Sequence, residues 1–350
     1  MNCAPSNLAN DLPDAAYRRN RVKSLAFLGL LAGLVLASAL LALKAGSYDV
    51  PLAELVRGVF GAARDEKIDL VVRANRLPRI ATALLGGAGL GLAGCVLQAI
   101  LHNPLASAST LGVSQGATFG AAAAIVGLGL GSGGLGVPLC SFLGSLTVAA
   151  VILGLSRFRQ VSPEGIVLAG VAISSMLTGA TTLLQYFASE VQLATLVFWT
   201  FGDLGSTGPD DLWLMALALA VLAGYAVARR WDYNALLGGE EMAASLGINV
   251  RALTLVSMLL CCLASSVIIS RIGLISFIGL VAPHLVRLVV GNNHVYLLPG
   301  SALAGAALLT LGDLFARTAM APVVLPIGAI TSFLGGPLFL YLLFKGGKER

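Results

Sequence analysis

The fold of this chain is decided by residues 80–156, which read IATALLGGAGLGLAGCVLQAILHNPLASASTLGVSQGATFGAAAAIVGLGLGSGGLGVPLCSFLGSLTVAAVILGLS. These 77 residues contain no Asp, Glu, Lys or Arg, and glycine, proline and polar turn residues separate the apolar blocks. A membrane-spanning helix needs about 20 apolar residues, because lipid offers the backbone no hydrogen-bond partner outside the helix. The stretch therefore predicts three consecutive spanning helices.

The composition of the whole chain indicates an integral membrane protein with many spans. Of its 350 residues, 57% are hydrophobic and 11% are charged, whereas soluble domains carry about 25% charged residues. The net charge of +5 forms no basic stripe, which argues against nucleic-acid binding. The 42 glycines, with Gly87 and Gly91 as one small-xxx-small pair, predict helices that pack closely through small residues.

Cutting the sequence at charges and turn residues predicts an all-α protein with ten spans. Pro283 and Pro337 fall inside blocks and predict kinked helices. The predicted spans are Ser24–Leu43, Arg79–Leu101, Thr110–Gly129, Val137–Ser156, Gly165–Phe187, Asp211–Ala228, Ala252–Ser270, Leu274–Val290, Tyr296–Ala316 and Val324–Phe344.

The distribution of basic residues predicts the orientation. With the N-terminus inside, 13 of the 22 Lys and Arg residues are cytoplasmic, and most of the others lie in one long outer loop, which has little influence on topology. We therefore expect a cytoplasmic tail at 1–23, a transmembrane domain at 24–345 and a cytoplasmic tail at 346–350. Both termini would face the cytoplasm, and the protein would reside in the cytoplasmic (inner) membrane.

Several segments carry a family resemblance. They are RLPR at 76–79, HNPLA at 102–106, GVSQG at 112–116, WTFGDLG at 199–205, LLGGEEMAASLGINV at 236–250, GLISFIGLVAPHLVRLVVG at 273–291 and the run from 297 to 343. Together they closely resemble the FecCD family, the permease subunits of ABC transporters that take up iron siderophores, haem and cobalamin. The resemblance implies the ten-helix fold of type II ABC importer permeases, as in vitamin B12 permeases.

The resemblance also implies the transported substrate and the partners. The chain would move ferric siderophore, or haem or cobalamin, by alternating access, beside a second permease subunit that is identical or related. No phosphate-binding GxxxxGK[ST] loop occurs in the sequence, so ATP and Mg would be used by two separate ATP-binding subunits. An extracytoplasmic substrate-binding protein would dock on the outer face. We expect no enzyme activity, bound cofactor or metal in this chain.

The segment at about 229–251 is the expected contact with the ATP-binding subunit. Its residues allow either a solvated loop or a short amphipathic helix, and the resemblance implies a coupling helix that ends near Gly247. The coupling residues would be Gly238, Glu240, Glu241, Ala243, Leu246 and Gly247.

Arginines at the outer helix ends are the expected docking residues. By residue type alone, Arg76, Arg79 and Arg317 could simply anchor helix ends at the headgroups. The resemblance implies instead that they receive carboxylates of the binding protein. Asp313 lies four residues before Arg317, the spacing of an ion pair along one helix face.

A further set of motif residues is assigned to the pathway or to the structure around it. HNPLA is predicted to form a cytoplasmic turn, and His284 after Pro283 is interpreted as a structural histidine. The set comprises Gln98, Asn103, Pro104, Gly112, Ser114, Gly116, Pro283 and His284.

Two other classes of protein were weighed. GVSQG matches the GxSxG pattern that surrounds the nucleophilic serine of α/β-hydrolases. Such a serine needs a histidine as its base, and none of the three histidines lies in a sequence typical of a hydrolase. An ion-coupled secondary transporter would need ionisable residues within the membrane, and Asp313 alone qualifies. The five cysteines lack metal-ligand spacing and are interpreted as small apolar residues.

Overall fold

The computed structural model describes residues 8–46, 50–131, 134–156 and 162–346, and every regular element in these ranges is helical. Two short segments, Leu70–Arg76 and Ala123–Gly127, are π-helical. The α-helices are α1 (Leu8–Lys44), α2 (Leu52–Val59), α3 (Glu66–Asp69), α4 (Leu77–Ile100), α5 (Val113–Ala122), α6 (Gly136–Ser156), α7 (Pro163–Tyr186), α8 (Glu190–Phe201), α9 (Pro209–Ala228), α10 (Arg230–Leu236), α11 (Glu240–Ser245), α12 (Val250–Ile272), α13 (Ile278–Val290), α14 (His294–Thr318) and α15 (Ile327–Gly346).

Each of the ten predicted spans coincides with a helix of the structure, which confirms an all-α membrane protein. Within the described residues, seven helical stretches are long and apolar enough to cross a membrane, and three apolar helices are shorter. The shorter ones are Val113–Gly127, Ile278–Val290 and Ile327–Tyr341. Of the predicted tails, residues 1–7 and 347–350 lie outside the described residues, as does Cys3.

Helix α8 was not predicted, because its 12 residues are too few for a span. Ser189 accepts a hydrogen bond from the Gln192 backbone N–H at 3.3 Å, and the Gln192 side chain accepts one from the Ser189 N–H at 3.0 Å. This reciprocal pair is a capping box, the usual start signal of a helix. The sequence SEVQ therefore carried the signal for α8.

The predicted start of the eighth span was wrong. Helix α13 begins at Ile278 rather than at Leu274, and Phe277 has a left-handed backbone with φ of 66°. The start of α5 lies at Val113, after the left-handed Gly112 with φ of 84°. Residues from both irregular segments, among them Ser107, Ser109, Ile275 and Phe277, line one small pocket of about 20 Å³. Non-helical backbone at membrane depth is tolerated only where protein surrounds it, as here.

Small residues set the distance between the central helices α4 and α14. A Cβ atom on Gly87 would collide with the Gly305 carbonyl group, and one on Gly91 would collide with the Ser301 carbonyl group. The predicted close approach at Gly87 and Gly91 is thus confirmed. Because no larger residue fits there, α4 and α14 pack as one unit in the centre of the bundle.

The two ends of the bundle carry different surface elements. Arg76 donates hydrogen bonds to carbonyls at the end of α1, so the end of α1 and the start of α4 share one end with α2 and α3. We call it the α2 end. The opposite end carries α10 and α11 and is called the α11 end. The ring of His102, just beyond α4, reaches the Leu236 carbonyl there.

Candidate functional sites at the two ends of the bundle

The predicted coupling segment forms two short helices, α10 and α11, on the surface of the α11 end. Glu240 and Glu241 are exposed in the first turn of α11, whereas Ala243 is fully buried and attaches the helix to the core. Leu246 is 67% exposed. The prediction of a short amphipathic helix is therefore confirmed at the level of structure.

The end of α11 is fixed by a left-handed glycine. Gly247 has φ of 83°, and its N–H donates to the Ala244 carbonyl at 2.9 Å. The Ile248 N–H donates to the Ala243 carbonyl at 3.2 Å. This pair of bonds is the Schellman motif, which requires a residue that tolerates positive φ. The prediction that Gly247 ends the helix is confirmed.

Four large apolar side chains of this segment are exposed to solvent, one of them Trp231 at 59%. Leu237 is 54% exposed, Met242 is 57% exposed, and Leu246 exceeds both. Ile248, in contrast, packs against the main core. A Cβ atom on Gly238 would meet the sulfur of Met242, an exposed side chain that can move aside. Apolar groups beside two exposed carboxylates are suited to a complementary groove on another protein.

The HNPLA turn lies directly beneath this segment. His102 has a left-handed backbone with φ of 46°, and its Nε2 atom lies 3.1 Å from the Leu236 carbonyl oxygen at the end of α10. The Asn103 side chain accepts a hydrogen bond from the Leu105 N–H at 2.8 Å, and Pro104 is exposed. The turn predicted from Asn103 and Pro104 is confirmed, and it supports the coupling segment.

The remaining motif residues lie inside the bundle. Arg287 donates a hydrogen bond to the Gln98 side chain at 2.9 Å, which joins α13 to α4. The His284 ring packs edge-on against Phe339. Pro283 is buried within α13.

The GVSQG motif is also internal. Gly112 provides the left-handed cap of α5, and Gly116 packs against the Gly144 carbonyl. Ser114 is 1% exposed in the first turn of α5, unlike the exposed nucleophile of a hydrolase elbow. Roles of these residues in a pathway stay predictions.

The α2 end contains a cluster of arginines around one buried carboxylate. Asp313, 1% exposed, accepts from Arg317 Nε at 2.9 Å, which confirms the predicted pair. It also accepts from Arg79 Nε at 2.8 Å, a partner that the sequence spacing could not reveal. Arg79 lies 3.7 Å from the largely exposed Asp203 on its other side. One carboxylate thus joins α4 to α14.

Two of these arginines also hold the end of α1. Arg317 donates to the carbonyls of Ala45 at 3.0 Å and Ala42 at 3.2 Å. Arg76, 3% exposed, donates to the carbonyls of Leu43 at 2.8 Å and Lys44 at 3.2 Å. The last carbonyls of a helix lack partners within it, so these guanidinium groups cap α1. The predicted docking role of the arginines stays a prediction, and their structural role is additional to it.

A cavity of about 940 Å³ opens beside the arginine cluster. Arg271 and Asp211 form an ion pair of 2.7 Å in its wall. Trp199 and Phe198 of α8 line another side, together with Asp203 from the WTFGDLG loop. Of the described residues, no three His, Cys, Asp or Glu are grouped in a way that could hold a metal ion.

Comparison with known proteins assigns the chain to a family. The model of the FecCD transport family matches residues 34–345. An ABC transporter permease protein of Methanocaldococcus jannaschii is 44% identical over 349 residues, which cover 97% of this chain and 99% of that protein. The vitamin B12 import system permease protein BtuC of Escherichia coli O6:H1 is 37% identical over 334 residues, which cover 95% of this chain and 98% of BtuC.

The fold agrees with a solved structure. A metal-chelate type ABC transporter in an inward-facing conformation matches with a TM-score of 0.80 and 30% identity, over 91% of this chain and 98% of that chain. The family match covers most of the chain, and the relatives align over nearly their full length. The chain therefore belongs to the FecCD transport family and is an ABC transporter permease.

Proposed function

We propose that this chain is the permease subunit of an ATP-driven importer whose cargo is a ferric siderophore, or haem or cobalamin. The observation that carries the proposal is the α10–α11 surface, where exposed carboxylates and apolar groups stand on a membrane-embedded bundle. The names of the similar proteins support this class of cargo, because they refer to vitamin B12 import and to a metal chelate.

ATP hydrolysis takes place in two separate ATP-binding subunits in this proposal. Leu246 and Met242 enter a groove on such a subunit, and Glu240 and Glu241 contact its rim. Exposed apolar side chains at the centre of a contact with charges around it are typical of protein interfaces. ATP and Mg bind to these partners, and the permease follows their movement.

The substrate-binding protein docks at the α2 end. Arg79 and Arg317, 13% and 10% exposed, supply positive charge at this surface, and the buried Arg76 adds to it from beneath. Of their carboxylate contacts, the pair between Arg79 and the exposed Asp203 is the longest at 3.7 Å. A carboxylate of the binding protein would therefore meet Arg79 most readily along this edge, where a charge-assisted bond can fix the docking orientation.

The α11 end faces the cytoplasm in this arrangement, and both termini lie on that side of the cytoplasmic membrane. A second permease subunit, identical or related, pairs with the transmembrane domain at 24–345, and the cargo passes between the two. Alternating access requires that the inward and outward states bind the cargo differently. Asp313 is held by two arginines, so it is a structural ion pair rather than a free proton site.

Co-purification of the permease with its ATP-binding subunit tests the coupling surface. We expect the wild-type pair to purify together and Leu246→Arg to lose the ATP-binding subunit, because a charged side chain does not fit an apolar groove. The permease itself should still fold, because the exposed Leu246 supports no internal packing. Asn249→Ala, in the same segment, is the matched control and should retain it. Retention by Leu246→Arg would contradict the proposed surface. The cargo itself would be identified from the ligand that co-purifies with the binding protein.

A further inference from the structure

Asn234 in α10 binds the start of α14 with its whole side chain. Its Oδ1 atom accepts the backbone N–H of His294 at 2.7 Å and lies 3.1 Å from Nδ1 of the same histidine. Its Nδ2 atom donates to Oδ1 of Asn293 at 3.0 Å. Both the oxygen and the nitrogen of the Asn234 amide therefore bond to residues at the start of α14.

Asn293 has two tasks at this point. Its Oδ1 atom accepts the Val295 N–H at 3.0 Å and so caps α14. The same oxygen receives the amide of Asn234. The N-cap of α14 and the grip on α10 are therefore one hydrogen-bonded unit, in which His294 is 2% exposed.

The neighbouring residue extends the connection. Tyr233 is fully buried, and its hydroxyl lies 2.8 Å from the Ser257 hydroxyl of α12. Its ring lies 5.8 Å from the His294 ring. Helix α10 is thus held to both α12 and α14.

Helix α14 connects this unit to the other end of the bundle. Its 25 residues extend roughly 37 Å at about 1.5 Å per residue. Near its far end, Asp313 holds Arg79 of α4, and Arg317 holds the end of α1. The tight contact between Gly305 and Gly87 prevents α14 from sliding independently of α4. Helix α14, which contains Pro299 near its start, is therefore a continuous connection from this unit to the α2 end.

We propose that Asn234 is a positioning residue that clamps the coupling segment to α14, so that movement of α11 reaches the α2 end through α14. This inference rests on the proposed function, because it presupposes an ATP-binding subunit at α11. Asn234 touches neither ATP nor cargo and acts through Asn293 and His294. Losing the clamp would leave the partner bound and α10 still held to α12 through Tyr233, but it would weaken the connection from α10 to α14.

The test uses the complete importer, with permease, ATP-binding subunits and binding protein in vesicles. Asn234→Ala should keep basal ATPase activity and assembly but reduce cargo transported per ATP by roughly tenfold, within the range usual for coupling between sites. Asn249→Ala is the matched control, because the Asn249 side chain caps the start of α12 rather than that of α14 and accepts the Ala252 N–H there at 3.0 Å. Its ratio of cargo to ATP should stay at the wild-type value.

A second variant guards against loss of folding. Asn293→Ser keeps a good N-cap for α14 but shortens the side chain that receives Asn234, so the ratio of cargo to ATP should fall by roughly fivefold. An unchanged ratio in Asn234→Ala, or an equal fall in Asn249→Ala, would overturn the clamp. Failure of the proposed function would appear differently, as a wild-type complex without ATP-dependent transport.

Discussion

Removing the carboxylate of Asp313 should destabilise the α2 end strongly. The side chains of Arg79 and Arg317 are 13% and 10% exposed. Asp313→Ala therefore leaves two largely buried cations without the carboxylate that they share. Breaking a buried pair costs about 3–5 kcal/mol. Arg317 keeps two carbonyl acceptors and Arg79 keeps Asp203. The lower figure of about 3 kcal/mol is therefore the appropriate one.

Thermal unfolding of the purified permease measures this effect. An unfolding entropy of about 2.1 cal/mol/K per residue over the chain converts 3 kcal/mol into a fall of roughly 4 °C in the midpoint. Glu54→Ala, which breaks the more exposed pair with Arg57, is the control and should shift the midpoint by less than about 1 °C.

A triple variant separates the lost partner from general damage. Replacing the cluster with apolar residues, as Arg79→Met, Asp313→Leu and Arg317→Met together, removes the buried charges and both ion pairs, together with the bonds from Arg317 to the end of α1. Such replacements are often neutral or stabilising, so the triple variant should have a higher midpoint temperature of unfolding than Asp313→Ala. An Asp313→Ala midpoint within about 1 °C of wild type would refute the reasoning.

Three further predictions address other parts of the structure. Gly247→Val forces a β-branched residue to φ of 83° and should weaken binding of the ATP-binding subunit, measured by titration; unchanged affinity would refute it. Gly87→Ala should lower the free energy of unfolding by about 1–3 kcal/mol, because its Cβ atom would collide with the Gly305 carbonyl group. Gly33→Ala, which has open space around it, should not, and equal thermal midpoints of the two variants would contradict the packing of α4 on α14. Arg79→Gln should reduce the stimulation of ATPase activity by the binding protein, whereas Arg57→Gln in α2, at the same end of the bundle, should leave the stimulation unchanged; full stimulation in Arg79→Gln would exclude docking there.

The spans were predictable because lipid imposes one rule on every helix that crosses it. The charge-free run at 80–156 and the regular apolar blocks are sufficient to locate ten helices. The irregular segment before α13 was not predictable in this way, because its apolar residues look like the start of a helix. The left-handed backbone of Phe277 depends on the three-dimensional structure around it and is seen only there.

The candidate sites were predictable to different extents. The end of α11 at Gly247 follows from local chain chemistry and was found correctly. The pairing of Arg79 with Asp313 joins residues far apart in sequence, so no spacing rule reveals it. Asn234 carried no signal in the sequence, since a lone asparagine beside a helix is ordinary, and its role emerges only from its contacts with Asn293 and His294.

The central claim is that this permease is driven by ATP hydrolysis on a separate subunit. Cargo accumulation in vesicles tests it directly, with the permease reconstituted either alone or with its ATP-binding subunits and with the binding protein on the opposite side. We expect uphill accumulation only in the complete assembly supplied with ATP and Mg. Accumulation by the permease alone under an imposed ion gradient would contradict it.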